Sequence, residues 1–320
     1  MLAIQKVIQE QVIQMLNRIV EIASDGIHAS LNRGFLQLRR SKEIVGQVPL
    51  PDIGGLVIRG YGASISLNLV SRLSELKIPI VLCGTDQSPS AVVWPLAGHH
   101  AASELIEAQA QLSLPRKKRL WQSIVKAKIE AQARTLLWFG KDANDLLAMK
   151  ERVQSGDPEN LEAQAAKRYW KRLMEEIEPH FSRSRGEGFT NAALNYGYTV
   201  LRAGMARSIL ASGLHPGFSV HHKSSGDSLR LADDLMEPYR PLVDLVVYQI
   251  SSDENEANLT PDHKQRLVKV LSMDLITSVG ITPLQTSMDR LAQNYRSVCL
   301  GQSRTLTFAQ GPSSSEWEAR

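Results

Sequence analysis

Two patterns of apolar and polar positions divide the chain. From about Ile19 to Trp94 the apolar residues come in short runs, "RIVEIAS", "HASLNRGFLQLRR", "GGLVIRG" and "IPIVLCG". These are rich in Ile, Val and Leu and bounded by Gly, Pro, Asn or Asp, which is the pattern of strands. Asn32, Arg33 and Gly34 predict a hairpin turn between two of them. "SISLNLVSRLSELK" predicts one helix, with Ile65, Leu69, Leu73 and Leu76 along a face and Pro79 beyond its end. From Ala101 onward the period is helical, through "RLWQSIVKAKIEAQARTLLWFG", "LEAQAAKRYWKRLMEEI", "NAALNYGYTVLRAGMARSILASG", "SLRLADDLMEPY" and "PDHKQRLVKVLSMDLI". Pro95 and Gly98-His99-His100 read as a linker, so the expected organisation is α+β in two domains, residues 1–98 sheet-rich and 99–320 helical.

The two ends stand apart from this pattern. Ile4, Val7, Ile8 and Val12 have near-helical spacing, but glutamines and charges interrupt them, so no signal-peptide core forms. Met15 makes a plausible natural start, and residues 1–14 are expected to be an extension with little fixed structure. The polar tail over 311–320 is expected to be disordered.

Composition narrows the class without deciding it. With 320 residues and 43% hydrophobic content the chain is globular. Its 37 Lys+Arg against 33 Asp+Glu give +4, an excess that permits a polyanionic partner without demanding one. Cys83 and Cys299 make neither a metal-ligand spacing nor a disulfide framework, which suits a reducing cytoplasm. No stretch approaches the roughly 20 apolar residues that cross a bilayer, so no membrane association is expected.

The candidate chemistry begins at Glu162. Asp157-Pro158 predicts a helix start, with Asp157 as cap. On that helix Glu162 shares a face with Ala165, Ala166 and Tyr169. A carboxylate on an apolar stripe must be paired, protonated or metal-bound. The competing reading is a stripe-edge glutamate meeting an arginine. A second cluster lies in "HHKSSGDSLRLADDLMEPYRP", residues 221–241. Asp234 and Glu237 are three apart and would point the same way on a helix that Pro238 interrupts. Here the competing readings are an Arg230–Asp234 ion pair and His222 as an ordinary loop histidine. Together, carboxylates and one imidazole make a mixed oxygen and nitrogen site that suits Mg²⁺ or Mn²⁺. In a basic protein such a site points to phosphodiester chemistry.

Cations accompany these motifs. Arg183 and Arg185 sit in a Gly/Ser-rich loop before a helix, where a phosphate cradle is one reading and a solvated loop the other. Arg168, Arg202 and Lys223 are further candidates for DNA contact. "LPRKKRLW", with Arg116 to Arg119, reads as a solvated helix start rather than a DNA site.

The order "EAQAAKRYW", "NAALNYGY", "GLHPGFSVHH" and "LADDLMEPYRPLVD" resembles the CRISPR-associated spacer integrase, the core endonuclease of CRISPR adaptation. "GYGASISLNLVSRLSE" and "IPIVLCGTDQSPSAVVWPL" resemble its β-domain, and "DLMEPYRPLVD" is most similar to the members from type II systems. The resemblance spans residues 15 to 305. It implies a small β-sandwich-like N-terminal domain that forms a homodimer, and a larger all-α catalytic domain. It places the family's metal ligands on Glu162, His222 and Glu237, and a supporting acidic position on Asp234. His222 is preferred over His221 for its spacing to Glu237. The partners implied are a small ferredoxin-like adaptation protein in a heterohexamer, double-stranded prespacer and CRISPR-repeat DNA, and the type II effector nuclease with an accessory adaptation protein. The implied reaction is attack of a DNA 3′-hydroxyl on a phosphodiester at the repeat edge, or hydrolysis when water replaces it. A stand-alone metal-dependent DNA repair nuclease, a transposon-derived integrase and a non-catalytic DNA-binding scaffold are the alternatives.

Overall fold

The structure, a computed structural model, describes residues 18–76, 78–85, 89–93, 95, 99–183, 188–223, 228–253 and 258–313. The predicted extension over 1–14, Gly98, Arg185 and residues 314–320 of the tail therefore lie outside the described residues. The chain divides into two compact units. One runs through Ala110 and includes Ala206–His215; the other holds Gln111–Met205 and Pro216–Arg320.

The first unit is built from two four-stranded sheets. Strands β1 (Arg18–Ile22), β5 (Ile53–Ile58), β7 (Ile80–Cys83) and β8 (Pro89–Val93) form one, with β1, β5 and β7 parallel and β8 antiparallel. Strands β4 (Glu43–Pro49), β3 (Phe35–Arg40), β2 (Ile27–Asn32) and β6 (Ser64–Ile65) form the other. The β2–β3 hairpin turns within the expected Asn32–Gly34 stretch: Asn32 pairs with Phe35 as the last ladder residue, and the chain closes on Arg33 and Gly34, both at positive φ. Alternating apolar positions bring Ile22, Leu56 and Ile80 from one sheet into a single buried cluster with Ala29 and Leu36 from the other. Helix α1 (Leu67–Glu75) adds Leu69 and Leu73 to that cluster. The helix is shorter at its start than its period suggests, because Ser64 and Ile65 pair with β2 and Ser66 caps it. His99 and His100, read as linker, open helix α2 (His99–Ala110) instead.

The second unit is centred on the 25-residue helix α3 (Leu114–Trp138). Leu120, Trp121, Ile124, Val125, Ile129, Gln132 and Leu136 are buried along it, the recurrence of three and four that defines a helix face. Packed against α3 are α4 (Asn144–Arg152), α5 (Leu161–Met174), a 3₁₀ turn at Glu237–Tyr239, and α8 (Arg240–Asp253). Helix α6 (Gly188–Ala211) begins in this unit, and α7 (Arg230–Leu235) precedes the 3₁₀ turn. Gly197 on α6 faces Val243 on α8 so closely that a Cβ would lie 2.4 Å from Val243 Cγ1. Only glycine permits this approach, which brings Tyr198 beside Asp244.

The expected all-α character of this part is corrected by a small antiparallel sheet. After α9 (Pro261–Lys269), β9 (Asp274–Thr277) pairs with β10 (Gly280–Pro283) on one side and β11 (Gly311–Pro312) on the other, flanking α10 (Leu284–Cys299) in sequence. The start of the tail is likewise ordered rather than free. Gln310 N donates to Ile276 O and Ser313 N to Asp274 O, both at 2.8 Å, so backbone pairing holds a segment whose side chains are polar.

Candidate active site

Four elements of the second unit supply the groups singled out by the sequence. Glu162 stands in the first turn of α5. That helix starts at Leu161 rather than at Pro158, and Asp157 caps it from upstream, accepting from Leu161 N at 2.9 Å and Glu162 N at 3.0 Å. Ala165 and Tyr169, on the same face, are fully buried, so Glu162 looks inward at the edge of the apolar stripe.

Its partner is not an arginine but Lys128, from the middle of α3. Lys128 Nζ lies 2.6 Å from Glu162 Oε1 and 2.6 Å from Glu237 Oε2. Two carboxylates from separate elements therefore meet on one ammonium. Burial pulls the Lys128 pKa down, but Glu237 and then Glu162 more than offset it, and the ammonium is held above its ordinary value. Burial alone would raise the Glu237 pKa, whereas Lys128 and Arg240 bring it below the usual carboxylate range. Arg240 Nε lies 3.0 Å from Glu237 Oε1. Glu237 Oε2 is buried and makes close ion contact, yet no directed hydrogen bond satisfies it.

Asp234 does something different from Glu237. The two sit three residues apart, but α7 ends at Leu235 and Pro238 belongs to the following 3₁₀ turn, so they meet different partners. Asp234 is fully buried. It accepts from the backbone N–H groups of Val220, His221 and His222 at 2.6, 3.0 and 3.2 Å, and lies 2.7 Å from His222 Nδ1. The carboxylate thus closes the 220–222 turn and fixes the imidazole with Nε2 pointing away. The hydrogen bond to Asp234 raises the His222 pKa against the opposing effect of burial, with Glu237 adding to the rise. The Arg230 alternative does not occur: Arg230 Nη2 donates to Gly217 O. The two histidines occupy different places, since His221 stacks flat on buried Trp121 at 4.2 Å while His222 meets that ring edge-on at 5.8 Å.

Among the described residues no three His, Cys, Asp or Glu side chains stand together as a ready cation cage. Glu162 and Glu237 are drawn together by Lys128, and His222 is within electrostatic reach of Glu237 with its Nδ1 turned to Asp234.

The basic candidates are distributed more widely. Arg202 is held by Asp233 through Nε at 2.7 Å and Nη2 at 2.9 Å. Arg168 donates to Asp145 at 2.9 Å, beside Arg172. Arg183 is tied to Asn191 and Asn195 on α6, and Lys223 is exposed. Lys128, Arg240 and Trp121 were not singled out by sequence, although Lys128 carried a usable signal. It lies four residues after Ile124 and three after Val125, a charge on a buried stripe just as Glu162 is.

Behind Glu237 lies a buried acid. Asp244 accepts from Tyr198 Oη at 2.5 Å and Tyr169 Oη at 3.0 Å, and Arg240 stacks over the Tyr198 ring at 4.7 Å. Burial pushes the Asp244 carboxyl up to about 7, against the lowering effect of the two phenols. Between about pH 4 and 7 the folded chain therefore keeps a proton that the unfolded chain has released. Stability from this group is full below about 4 and is lost as pH rises through 7. Asp244→Asn is expected to flatten the dependence of the unfolding temperature on pH over that window, measured by thermal unfolding; an unchanged slope would contradict the assignment.

A family model described as CRISPR associated protein Cas1 matches residues 20–267. The chain belongs to that family. A CRISPR-associated endonuclease Cas1 from Neisseria meningitidis is 34% identical over 83% of this chain and 89% of its own length. A Cas1 endonuclease from Pyrobaculum aerophilum is 28% identical over 78% of this chain and 88% of its own. Among solved structures, a casposase bound to integration product superposes with a TM-score of 0.73 at 18% identity, over 91% of this chain and 98% of that one. The Cas1 protein from Thermotoga maritima gives 0.67 at 16%, over 90% and 98%. These two establish that the mixed α+β arrangement is the Cas1 and casposase fold.

Proposed function

We propose that the chain is a metal-dependent DNA endonuclease and integrase that inserts captured fragments as spacers into a CRISPR array, in the manner of type II adaptation modules. The observation that carries this reading is the meeting of Glu162 and Glu237 on one cationic atom, beside an imidazole oriented by a buried carboxylate. The names of the relatives, CRISPR-associated endonucleases, and the DNA integration product in the casposase structure support it.

The residues fit Mg²⁺ or Mn²⁺. Two carboxylates and one imidazole are a hard, mixed donor set, and Glu237 Oε2 is a buried oxygen that lacks a directed donor. Glu162, Glu237 and His222 Nε2 would hold the ion, with Asp234 as positioning residue. When bound, the ion supplies charge neutralisation at the scissile phosphate and acidifies the attacking hydroxyl. The chain's own residues do the rest. Asp234 holds the imidazole tautomer, Trp121 packs edge-on against its ring, and Lys128 with Arg240 keeps Glu237 ionised. The 3′-hydroxyl of the captured fragment attacks the phosphodiester at the repeat edge, the P–O3′ bond of the repeat breaks, and water in its place gives hydrolysis.

The proposed assembly is a homodimer working in the cytoplasm with a Cas2 partner on double-stranded prespacer and repeat DNA. A solved Cas6-RT-Cas1–Cas2 complex with a TM-score of 0.72 supports the partner. The edge strand β4, with Ile44 54% and Val45 52% exposed, supports pairing of copies through the first unit. Among the described residues no helix is long and apolar enough to cross a membrane. An integration assay with the purified chain, Cas2 and a repeat-bearing plasmid tests the reading. Strand transfer is expected with Mn²⁺ or Mg²⁺ and is expected to vanish with chelator; transfer that persists in chelator, or none with either metal, would reject it.

A further inference from the structure

Arg240 stands between two carboxylates. It opens α8, with Glu237 three residues before it and Asp244 four residues after it. Side chains at these spacings are neighbours on helical backbone, and an arginine and an aspartate four apart on one helix meet readily. Arg240 nonetheless makes its ion pair with Glu237, Nε to Oε1 at 3.0 Å, and among the described residues it makes none with Asp244. The contact with Glu237 is a loose one. Arg240 Nε is buried without a well-aligned hydrogen bond, so the surroundings of the guanidinium hold it in place rather than a directed bond to the carboxylate.

Those surroundings come from one side chain. Tyr198 Oη donates to Asp244 Oδ1 at 2.5 Å and Tyr169 Oη to Oδ2 at 3.0 Å, so each oxygen of the buried acid already has a donor. A carboxylate satisfied in this way has less to gain from a guanidinium. The ring of Tyr198 meanwhile lies 4.7 Å from the partly buried Arg240 guanidinium, a cation–π contact. A second cation, Arg183, reaches the same ring at 5.4 Å, but Asn191 Oδ1 and Asn195 Oδ1 hold it at 2.7 and 2.6 Å. Tyr198 therefore both occupies the competing acid and carries the arginine.

We infer that Tyr198 is a positioning residue of the proposed ion site, holding Arg240 against Glu237 by occupying Asp244 with its hydroxyl and lending the guanidinium its ring. The inference rests on the reading of Glu162, Glu237 and His222 as ligands, and names what steadies one of them. Without the hydroxyl, Asp244 Oδ1 loses its donor, and Arg240, on the same helix, is placed to replace it. Glu237 would then keep Lys128 at Oε2 but lose the cation at Oε1. Partners behind a metal-binding side chain account for about 10–100-fold in affinity.

The test is Mn²⁺ binding to the full chain, followed by loss of the electron paramagnetic resonance signal of the free ion. It is run at pH 8, above the value of about 7 to which burial raises Asp244, so that the competing carboxylate carries its charge. Tyr198→Phe is expected to bind Mn²⁺ about tenfold more weakly than the unaltered chain. Taking a cation away from Glu237 would by charge alone tighten the binding of another, so a fall reads position rather than charge. Asp244→Asn removes the pull on Arg240, and Tyr198→Phe/Asp244→Asn is expected to return to within about threefold of the unaltered chain. Tyr198→Leu/Asp244→Asn, which lacks the ring, should stay weak. A purely structural role would make the double variant no better than Tyr198→Phe. Tyr198→Phe at the affinity of the unaltered chain, or a double variant as weak as Tyr198→Phe, would overturn the inference. An unaltered chain that takes up no Mn²⁺ would reject the ion site on which the inference rests, a failure distinct from the other two.

Discussion

Glu162→Gln is expected to lower strand transfer by roughly 10³-fold or more, about 4 kcal/mol of barrier, while leaving the fold and DNA affinity in place. Glutamine has the shape of glutamate and keeps an acceptor for Lys128 Nζ, now 2.6 Å from Glu162 Oε1. The backbone cap from Asp157 is untouched. Only the charge is lost, and with it one of the two anionic oxygens that would hold a divalent ion. At the start of α5 that charge also favours the helix dipole, a contribution of about 0.5 kcal/mol, so the unfolding temperature should move little. DNA affinity should stay level or rise slightly, since a negative charge leaves the neighbourhood of the phosphates. Strand transfer within tenfold of the unaltered chain would remove Glu162 from the reaction. A parallel fall in unfolding temperature and DNA binding would instead mark a structural role.

The sequence made the β2–β3 hairpin legible because Asn32, Arg33 and Gly34 break two apolar runs with turn-forming residues, and the structure closes the turn on Arg33 and Gly34 at positive φ. The β9–β10–β11 sheet was hidden for the opposite reason. Its strands are four, four and two residues long, and Asp274–Thr277 continues an apolar run that also fits a helix. The start of α5 was displaced because Asp157 caps it through its side chain while itself sitting at positive φ, a local geometry that composition does not reveal. Glu162 stood out as a charge on an apolar face. Lys128 bore the same mark, but in a chain segment dense with lysine and arginine it did not separate from its neighbours.

Asp234 shows where periodicity stops being informative. Spacing of three predicts a shared face with Glu237, and that holds only while the helix lasts. What Asp234 does is set by three backbone N–H groups twelve to fourteen residues upstream, a tertiary fact. The consequence is a division of labour. Glu237 meets a buried ammonium, whereas Asp234 gives Oδ1 to His222 and Oδ2 to the backbone of Val220 and His221, closing the turn that carries the imidazole.

Lys128→Met is expected to destabilise the chain by about 3–5 kcal/mol in chelator, and to make its stability far more responsive to Mn²⁺ than that of the unaltered chain. The ammonium is the shared counter-ion of Glu162 and Glu237, 2.6 Å from each, in a setting where Glu237 is only 4% exposed. Methionine fills nearly the same volume, so packing along α3 survives and the change isolates the charge. Without it two carboxylates face one another in a low-dielectric site, and one must take up a proton or the local structure must open. A divalent ion between them would supply the missing positive charge, and no ammonium would compete with it. The unfolding temperature of the variant should therefore fall below that of the unaltered chain in chelator and recover most of the gap as Mn²⁺ is added, while Ca²⁺-free monovalent salt at equal ionic strength should not restore it. A variant that is as stable as the parent in chelator, or that gains no more from Mn²⁺, would mean that the two glutamates do not depend on a shared cation.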